Sequence, residues 1–309
     1  MKPSLLNSAA PAAALVILLI HLSAPVSGVF IGSAFALIGL MLLGIPHGSL
    51  DHIITEKTSA SGDGQSFSLI RFLIVYLLTM GVYALFWVWL PVFSLGFFLL
   101  MSAWHFGETD FENNRLGQHW VAKAGFMLYG CLLLFGLLAN DAVQTREILT
   151  SLLGSSAVLD GFVRIVDQYP LLRFTEFFAL GFRALMLPSA KAFDHLRLFV
   201  ILAVAFFLPL LEGFLLYFCH HHAWVNLLRM KERIYGESSE GLYAMIKDMM
   251  PFSVISVIGI IILVASSPLW LSHVNPVLLF FILISVLTLP HAGIMSKFYS
   301  KPTIAGAEA

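Results

Sequence analysis

Four histidines, His47, His105, His222 and His291, each stand where an apolar stretch of membrane-spanning length runs into more polar sequence. An imidazole is costly to place near hydrocarbon, so four at matching depths point to one site assembled from several helices. Three neighbourhoods are alike: Ile45-Pro46-His47-Gly48, Trp104-His105-Phe106-Gly107 and Leu289-Pro290-His291-Ala292 set the ring beside Pro, Trp or Gly. Neutral imidazole suits iron, copper and zinc, and the absence of a nearby cysteine favours a borderline first-row metal over a thiolate site. Iron is the most useful of these for oxygen chemistry. A metal-bound histidine needs its other ring nitrogen held, and Asp51, Glu108, Asp110 and Glu212 lie close enough in sequence to serve. The run His220-His221-His222 points in three directions around a helix, so at most one or two of its rings face a common centre. His52 shares a motif with His47 and Asp51, whereas His21, His119, His195 and His273 are isolated and read as ordinary structural residues.

The elements that must carry these rings are membrane helices. The chain of 309 residues is 59% hydrophobic and 11% charged, against about 25% charged residues in a soluble domain. Strand-like alternation is missing from the long apolar runs, which argues for an all-α polytopic bundle and against a barrel. A net charge of -1 and the lack of any Lys/Arg-rich run give no reason to expect nucleic acid. Cys131 and Cys219 are far apart in apolar runs, which supports neither a disulfide framework nor a Cys-rich metal site.

A crossing needs about 20 apolar residues, which divides the chain into spans near 8-26, 28-46, 69-89, 91-106, 120-139, 198-221, 251-267 and 270-291. The first is read as an uncleaved span rather than a signal peptide, because the later spans already commit the chain to the membrane. Residues 141-197 mix charges with apolar turns, and Arg173, Glu176 and Arg183 interrupt any span there. This insertion is read as amphipathic or re-entrant helices at an interface, within one membrane-embedded catalytic domain over 1-309.

Eight spans put Lys2, Lys57, Arg71, Arg115, Lys123, Arg229, Lys231, Arg233, Lys247, Lys297 and Lys301 on one side. The remaining basic residues, Arg146, Arg164, Arg173, Arg183, Lys191 and Arg197, fall in the long insertion, where the positive-inside rule is weakest. A ninth span across 174-190 would set Arg229 to Lys247 opposite Lys57 and destroy the asymmetry. The expectation is therefore eight spans with both termini cytoplasmic, so that His47, His105, His222 and His291 close the four spans running toward the cytoplasm. Thr58 to Ser66, rich in Ser and Gly, reads as a flexible cytoplasmic linker.

The segments Gly44-Ile-Pro-His-Gly-Ser-Leu-Asp-His52, Trp104-His-Phe-Gly-Glu-Thr-Asp110, Tyr217-Phe-Cys-His-His-His222 and Leu289-Pro-His-Ala292 resemble the signatures of the Brp/Blh family of bacterial and archaeal β-carotene 15,15′-dioxygenases. The resemblance covers most of the chain in order and hydropathy. It implies a multi-pass protein of the cell inner membrane that holds non-haem Fe(2+) on histidines. It also implies cleavage of the central double bond of β-carotene, or a related carotenoid, by O₂ to give retinal for a downstream rhodopsin.

Carried over residue by residue, His47, His105 and His222 match family ligands and are the expected catalytic set. The resemblance implies a further ligand four residues beyond His222, where this chain has Asn226. The Asn226 carbonyl, His220, His221 or His291 are the alternatives for completing the sphere. His291 is favoured by its Pro-His setting and depth, and His52 remains a lesser candidate. Asp51, Glu108 and Asp110 are the expected outer partners.

A long polyene partitions into lipid, so such an enzyme benefits from a lateral aromatic tunnel. Phe86, Trp87, Trp89, Phe93, Phe97, Phe98, Phe206, Phe207, Phe214 and Phe218 are candidates to line it. Two other classes share some of these features. A di-iron desaturase or hydroxylase gathers histidines at the cytoplasmic face but uses HxxxH and HxxHH spacings absent here. A transporter or haem-binding membrane protein would use histidines as proton relays or axial ligands.

Overall fold

A computed structural model describes residues 3-60, 66-111, 119-154, 157-187, 191-270 and 276-300. Lys2, Arg115, His273, Lys301 and the centre of the Thr58 to Ser66 linker lie outside the described residues. Every regular element among those described is helical. Five helices are long and apolar enough to cross a bilayer: Pro25–Ser59, Leu69–Trp89, Trp120–Asn140, Ser239–Ser266 and Phe281–Ser300.

Helix α1 (Pro3–Ser23) turns at Ala24 into α2 (Pro25–Gly39). The chain continues through a π-turn (Leu40–Gly44) into α3 (Ile45–Gly48) and α4 (Asp51–Ala60). Pro46 explains the π-turn: proline has no N–H to donate and its ring collides with a carbonyl of the preceding turn, and one wider turn absorbs both effects. Helices α5 (Leu69–Trp89) and α6 (Pro91–Phe111) form a tight hairpin joined by Leu90 alone, with Pro91 at the first helical position, where a missing N–H costs nothing. Helix α7 (Trp120–Asn140) packs antiparallel on α6 with backbones nearly touching. A Cβ at Gly107 would sit 2.0 Å from the Phe126 carbonyl oxygen, and one at Gly130 would sit 1.8 Å from that of Ala103. Only glycine permits that approach.

The path then departs from the eight-span expectation in two places. Helices α8 (Ala142–Leu153) and α9 (Ala157–Gln168) lead through a 3₁₀ turn (Pro170–Phe174) to α10 (Thr175–Met186). Helix α10 runs back antiparallel to α7, as a re-entrant helix does, with Glu176 beside Gly136 and Phe182 beside Gly125. Its charges broke the hydropathy pattern, yet they are buried and bonded: the Asn140 amide donates to Glu176 at 2.8 Å, and Arg183 lies 3.0 Å from His195 Nδ1.

The second departure lies in the expected span 198-221, which is a hairpin rather than one helix. Helix α11 (Ala192–Phe207) stops at Leu208-Pro209, and α12 (Leu210–Tyr217) folds back so that a Cβ on Gly213 would meet the Ala205 carbonyl oxygen at 2.7 Å. Pro209 cannot continue the ladder and pushes Leu208 into extended backbone (φ -93, ψ 157). The two departures cancel. One added helix running back (α10) and one added reversal (Leu208-Pro209) leave the later helices running as the simpler path had them.

From α12 the chain passes through a π-helical stretch (Phe218–Ala223), α13 (Trp224–Met230), a second π-turn (Lys231–Tyr235), α14 (Ser239–Trp270) and α15 (Pro276–Ser300). The main core lies where α1, α6, α7, α10, α11 and α12 meet, around the fully buried Tyr129, Leu133, Ile201 and Tyr217. Helix α14 instead turns Ile255, Ile258, Ile261 and Ile262 outward, as a helix facing hydrocarbon does.

Candidate metal centre

The four histidines come together. His47, His105, His222 and His291 are all buried, each on a different long helix: the continuation of α2, α6, the π-helical stretch after α12, and α15. Their rings form a closed circuit of neighbours. Centroid separations are 4.7 Å for His47 to His291, 5.2 Å for His291 to His105, 4.7 Å for His105 to His222 and 5.7 Å for His222 to His47. They do not close helices as expected. Helix α6 runs on to Phe111 and α15 to Ser300, because the polar residues beyond each ring are bonded inside the bundle.

Two rings are oriented by hydrogen bonds that leave Nε2 facing the others. His47 Nδ1 donates to the Gly44 carbonyl at 2.5 Å, in the π-turn before Pro46. His291 Nδ1 donates to Asp51 Oδ1 at 2.8 Å, and Asp51 Oδ2 accepts from the Tyr76 hydroxyl at 2.9 Å. Both Nε2 atoms are buried without a hydrogen-bond partner. His105 Nε2 and His222 Nε2 lie 3.1 Å apart, with both Nδ1 atoms unpartnered.

Among the described residues, no group of three or more His, Cys, Asp or Glu side chains is placed to hold a metal ion as it stands. The donor chemistry of the four adjoining rings nevertheless suits one ion. A buried polar atom left unsatisfied costs about 1–3 kcal/mol, and a cation taking the Nε2 atoms of His47 and His291 would satisfy two of them. Ring nitrogens about 2.1 Å from a common ion stand roughly 3.0–3.4 Å apart, which matches the His105 to His222 contact. Four neutral imidazoles with no thiolate make a donor set suited to iron.

Asn226 lies at the same centre. Its amide nitrogen is 3.2 Å from His222 Nε2, while its carbonyl oxygen accepts from the Tyr299 hydroxyl. Tyr299 also meets Thr109 Oγ1 at 3.0 Å, and Thr109 donates to the His105 carbonyl at 2.8 Å. A half-turn of the amide would exchange its two ends and point the oxygen inward.

Other candidates lie elsewhere. His221 turns to a second polar cluster: Nε2 donates to Asp110 Oδ1 at 3.0 Å, and Nδ1 faces Arg197 at 3.3 Å. Both of its nitrogens are therefore engaged away from the four-ring circuit. Asp110 accepts from the Tyr129 hydroxyl as well and holds His221 rather than any ring of the circuit. Glu108 accepts from Ser296 at 2.9 Å, which ties α6 to α15 five residues beyond His291. His220 stacks on Phe35 at 4.3 Å, and His52 packs on Phe252 with Nδ1 on the Ser49 carbonyl at 3.1 Å. Glu212 accepts from Ser33 at 2.6 Å, far from the circuit. Of the candidate aromatics, Phe218 flanks His47 and His222, while Phe206 stacks on Phe174, and Trp87 donates to Ser285 in the packing between α5 and α15.

Tyr76, Tyr129, Arg197 and Tyr299 were not foreseen. Arg197 carried a usable signal, since a charge inside an apolar run must find a buried partner. Asp110→Leu is expected to orphan His221 Nε2 and the Tyr129 hydroxyl, at about 1–3 kcal/mol for each donor. A lowered melting temperature of the detergent-solubilised protein is the check, and an unchanged one would remove the cluster's structural role.

A family model described as "Beta-carotene 15,15'-dioxygenase" matches residues 38–299, an interval that holds all four rings, Asp51 and Asn226. A β-carotene 15,15′-dioxygenase from uncultured marine bacterium 66A03 is 33% identical over 119 residues, 38% of this chain and 42% of that protein. The alignment thus spans less than half of that relative. No solved structure matches. A family match over most of the chain, with the buried histidine circuit inside it, carries the conclusion that this protein belongs to the β-carotene 15,15′-dioxygenase family.

Proposed function

We propose that this chain uses O₂ to cleave the central 15,15′ double bond of β-carotene, giving two molecules of retinal, with Fe(2+) held by His47, His105, His222 and His291. The observation that carries this reading is the convergence of four buried imidazoles, with the Nε2 atoms of His47 and His291 unpartnered and those of His105 and His222 3.1 Å apart, inside the segment that matches the family. The reaction balances without a reductant. One carbon–carbon double bond breaks, and each of its carbons takes one atom of O₂.

Bound iron would supply the capacity to bind and activate O₂. The protein's own groups do the rest. Gly44 and Asp51 fix the tautomers and orientations of His47 and His291. Phe106 and Phe218 pack against His222 at 4.6 Å and 5.7 Å and keep water from that side of the centre. Asn226, held by Tyr299, places a neutral amide beside His222, where it adds no charge to the site.

The protein is read as a multi-pass protein of the cell inner membrane, with the histidine end of the bundle cytoplasmic. The reversal at Leu208-Pro209 supports this orientation. Arg183, Lys191 and Arg197 move to the histidine end, beside Lys57, Lys123, Arg229 and Lys297, which sharpens the basic asymmetry. Retinal released there would be available to a membrane rhodopsin.

Expression in a β-carotene-accumulating bacterium tests the reading: colonies should bleach and retinal should appear by chromatography. Metal-replete purified protein that forms no apocarotenal from any carotenoid would overturn it. Bleaching with products other than retinal would move the cleavage position.

A further inference from the structure

An apolar groove of about 520 Å³ runs along the outside of the bundle between α5 and α6. Val75, Leu78, Thr79, Val82, Tyr83 and Phe86 form its α5 wall, Phe93 and Phe97 its α6 wall, and Leu289 of α15 its inner side. Several of these are open to the lateral surroundings: Val75 is 57% exposed, Leu78 62%, Val82 53% and Phe93 58%. The two lining hydroxyls are already bonded to backbone, Thr79 to the Val75 carbonyl and Tyr83 to the Ser94 carbonyl, each at 2.8 Å. The groove therefore presents no free hydrogen-bonding group to an occupant.

Its depth is set against the histidine circuit. The near end, Val75, adjoins Tyr76, whose hydroxyl bonds the same Asp51 that holds His291. Leu289 lies two residues before His291 on the same helix. The far end, Phe86 with Phe93, is at the α5–α6 turn. Eleven residues of helix separate Val75 from Phe86, roughly 16 Å of rise. A forty-carbon polyene is about as long as the hydrocarbon core is thick, roughly 30 Å, so the groove holds about half of one, measured from the depth of the histidines outward.

We propose that this α5–α6 groove is the lateral docking site for one arm of the linear carotenoid. Seating one arm to its end at Phe86 brings the middle of the chain to the level of His291. The inference rests on the carotenoid-cleavage reading and deepens it: the length of the groove, rather than any polar contact, selects the central bond. An occupant without hydrogen-bonding groups fits the walls, and the open side allows entry from the bilayer.

The test uses the full chain in nanodiscs, with β-carotene added in the absence of O₂. β-Carotene is achiral, so visible circular dichroism arises only when a chiral protein surface holds it. Val82→Trp and Leu78→Trp fill the groove without touching the histidine circuit, and Ile255→Trp on the outward face of α14 serves as the control. Wild type and Ile255→Trp should show induced dichroism. Val82→Trp and Leu78→Trp should lose at least fivefold of it, with at least tenfold lower kcat/KM once O₂ is admitted and with iron content unchanged.

Absent dichroism in wild type, or groove-filling variants equal to wild type in signal and turnover, would overturn the proposal and assign the groove to lipid acyl chains. Dichroism in wild type with no cleavage product after O₂ is admitted would leave the groove standing and remove the enzymatic reading instead.

Discussion

Replacing His291 by alanine is expected to abolish retinal formation and to strip the purified protein of iron as fully as replacing His47, His105 or His222. The reason is geometric. His291 is the neighbour of both His47 and His105 in the ring circuit, and its Nε2 is buried without a hydrogen-bond partner. Deleting it removes a donor and leaves a gap between two remaining rings. The loss should exceed the 10–100-fold in metal affinity that follows removal of an outer hydrogen-bonding partner, about the range seen at metal sites generally.

Asn226→Ala should be much milder in iron content, because its amide is joined to His222 but its carbonyl is committed to Tyr299. Iron per chain by elemental analysis and retinal by chromatography read both variants. If His291→Ala keeps its iron while Asn226→Ala loses it, the ligand set is that of the family pattern with asparagine as donor, and the assignment of His291 is wrong.

The second large effect belongs to Asp51. This buried carboxylate accepts from His291 Nδ1 and from the Tyr76 hydroxyl, one on each oxygen. Asp51→Ala orphans both donors and frees His291 to rotate, so iron affinity should fall about 10–100-fold. Asp51→Asn retains one acceptor oxygen for two competing donors and should fall between alanine and wild type. Tyr76→Phe, which leaves the His291 bond intact, should be the mildest of the three. Competitive chelator titration orders them. An order in which Tyr76→Phe equals Asp51→Ala would mean that Asp51 acts through the packing of α5 rather than by aiming His291.

The failures of the sequence reading share one cause. Hydropathy read an all-helical chain, but it treated Glu176 and Arg183 as too polar for the bundle interior. They are buried because Asn140 and His195, distant in sequence, each offer one of them a hydrogen bond. The same averaging hid the reversal at Leu208-Pro209, where apolar residues on both sides read as one continuous span. The triplet His220 to His222 shows the converse. Helical periodicity limited it to one or two inward rings, and the π-helical stretch sends His220 to Phe35, His221 to Asp110 and His222 to the circuit.

By itself the sequence established an all-helical chain built for a membrane and singled out the four histidines that the fold brings together, because transfer cost is local to each residue and shows at once in composition and depth. The tertiary structure alone decided which carboxylate aims which ring, that Asp51 serves His291 while Asp110 serves His221, and that a groove of half-polyene length begins at the level of the site. Those outcomes depend on contacts between residues up to 240 positions apart, and no local property of the chain records which distant partner will satisfy a buried group.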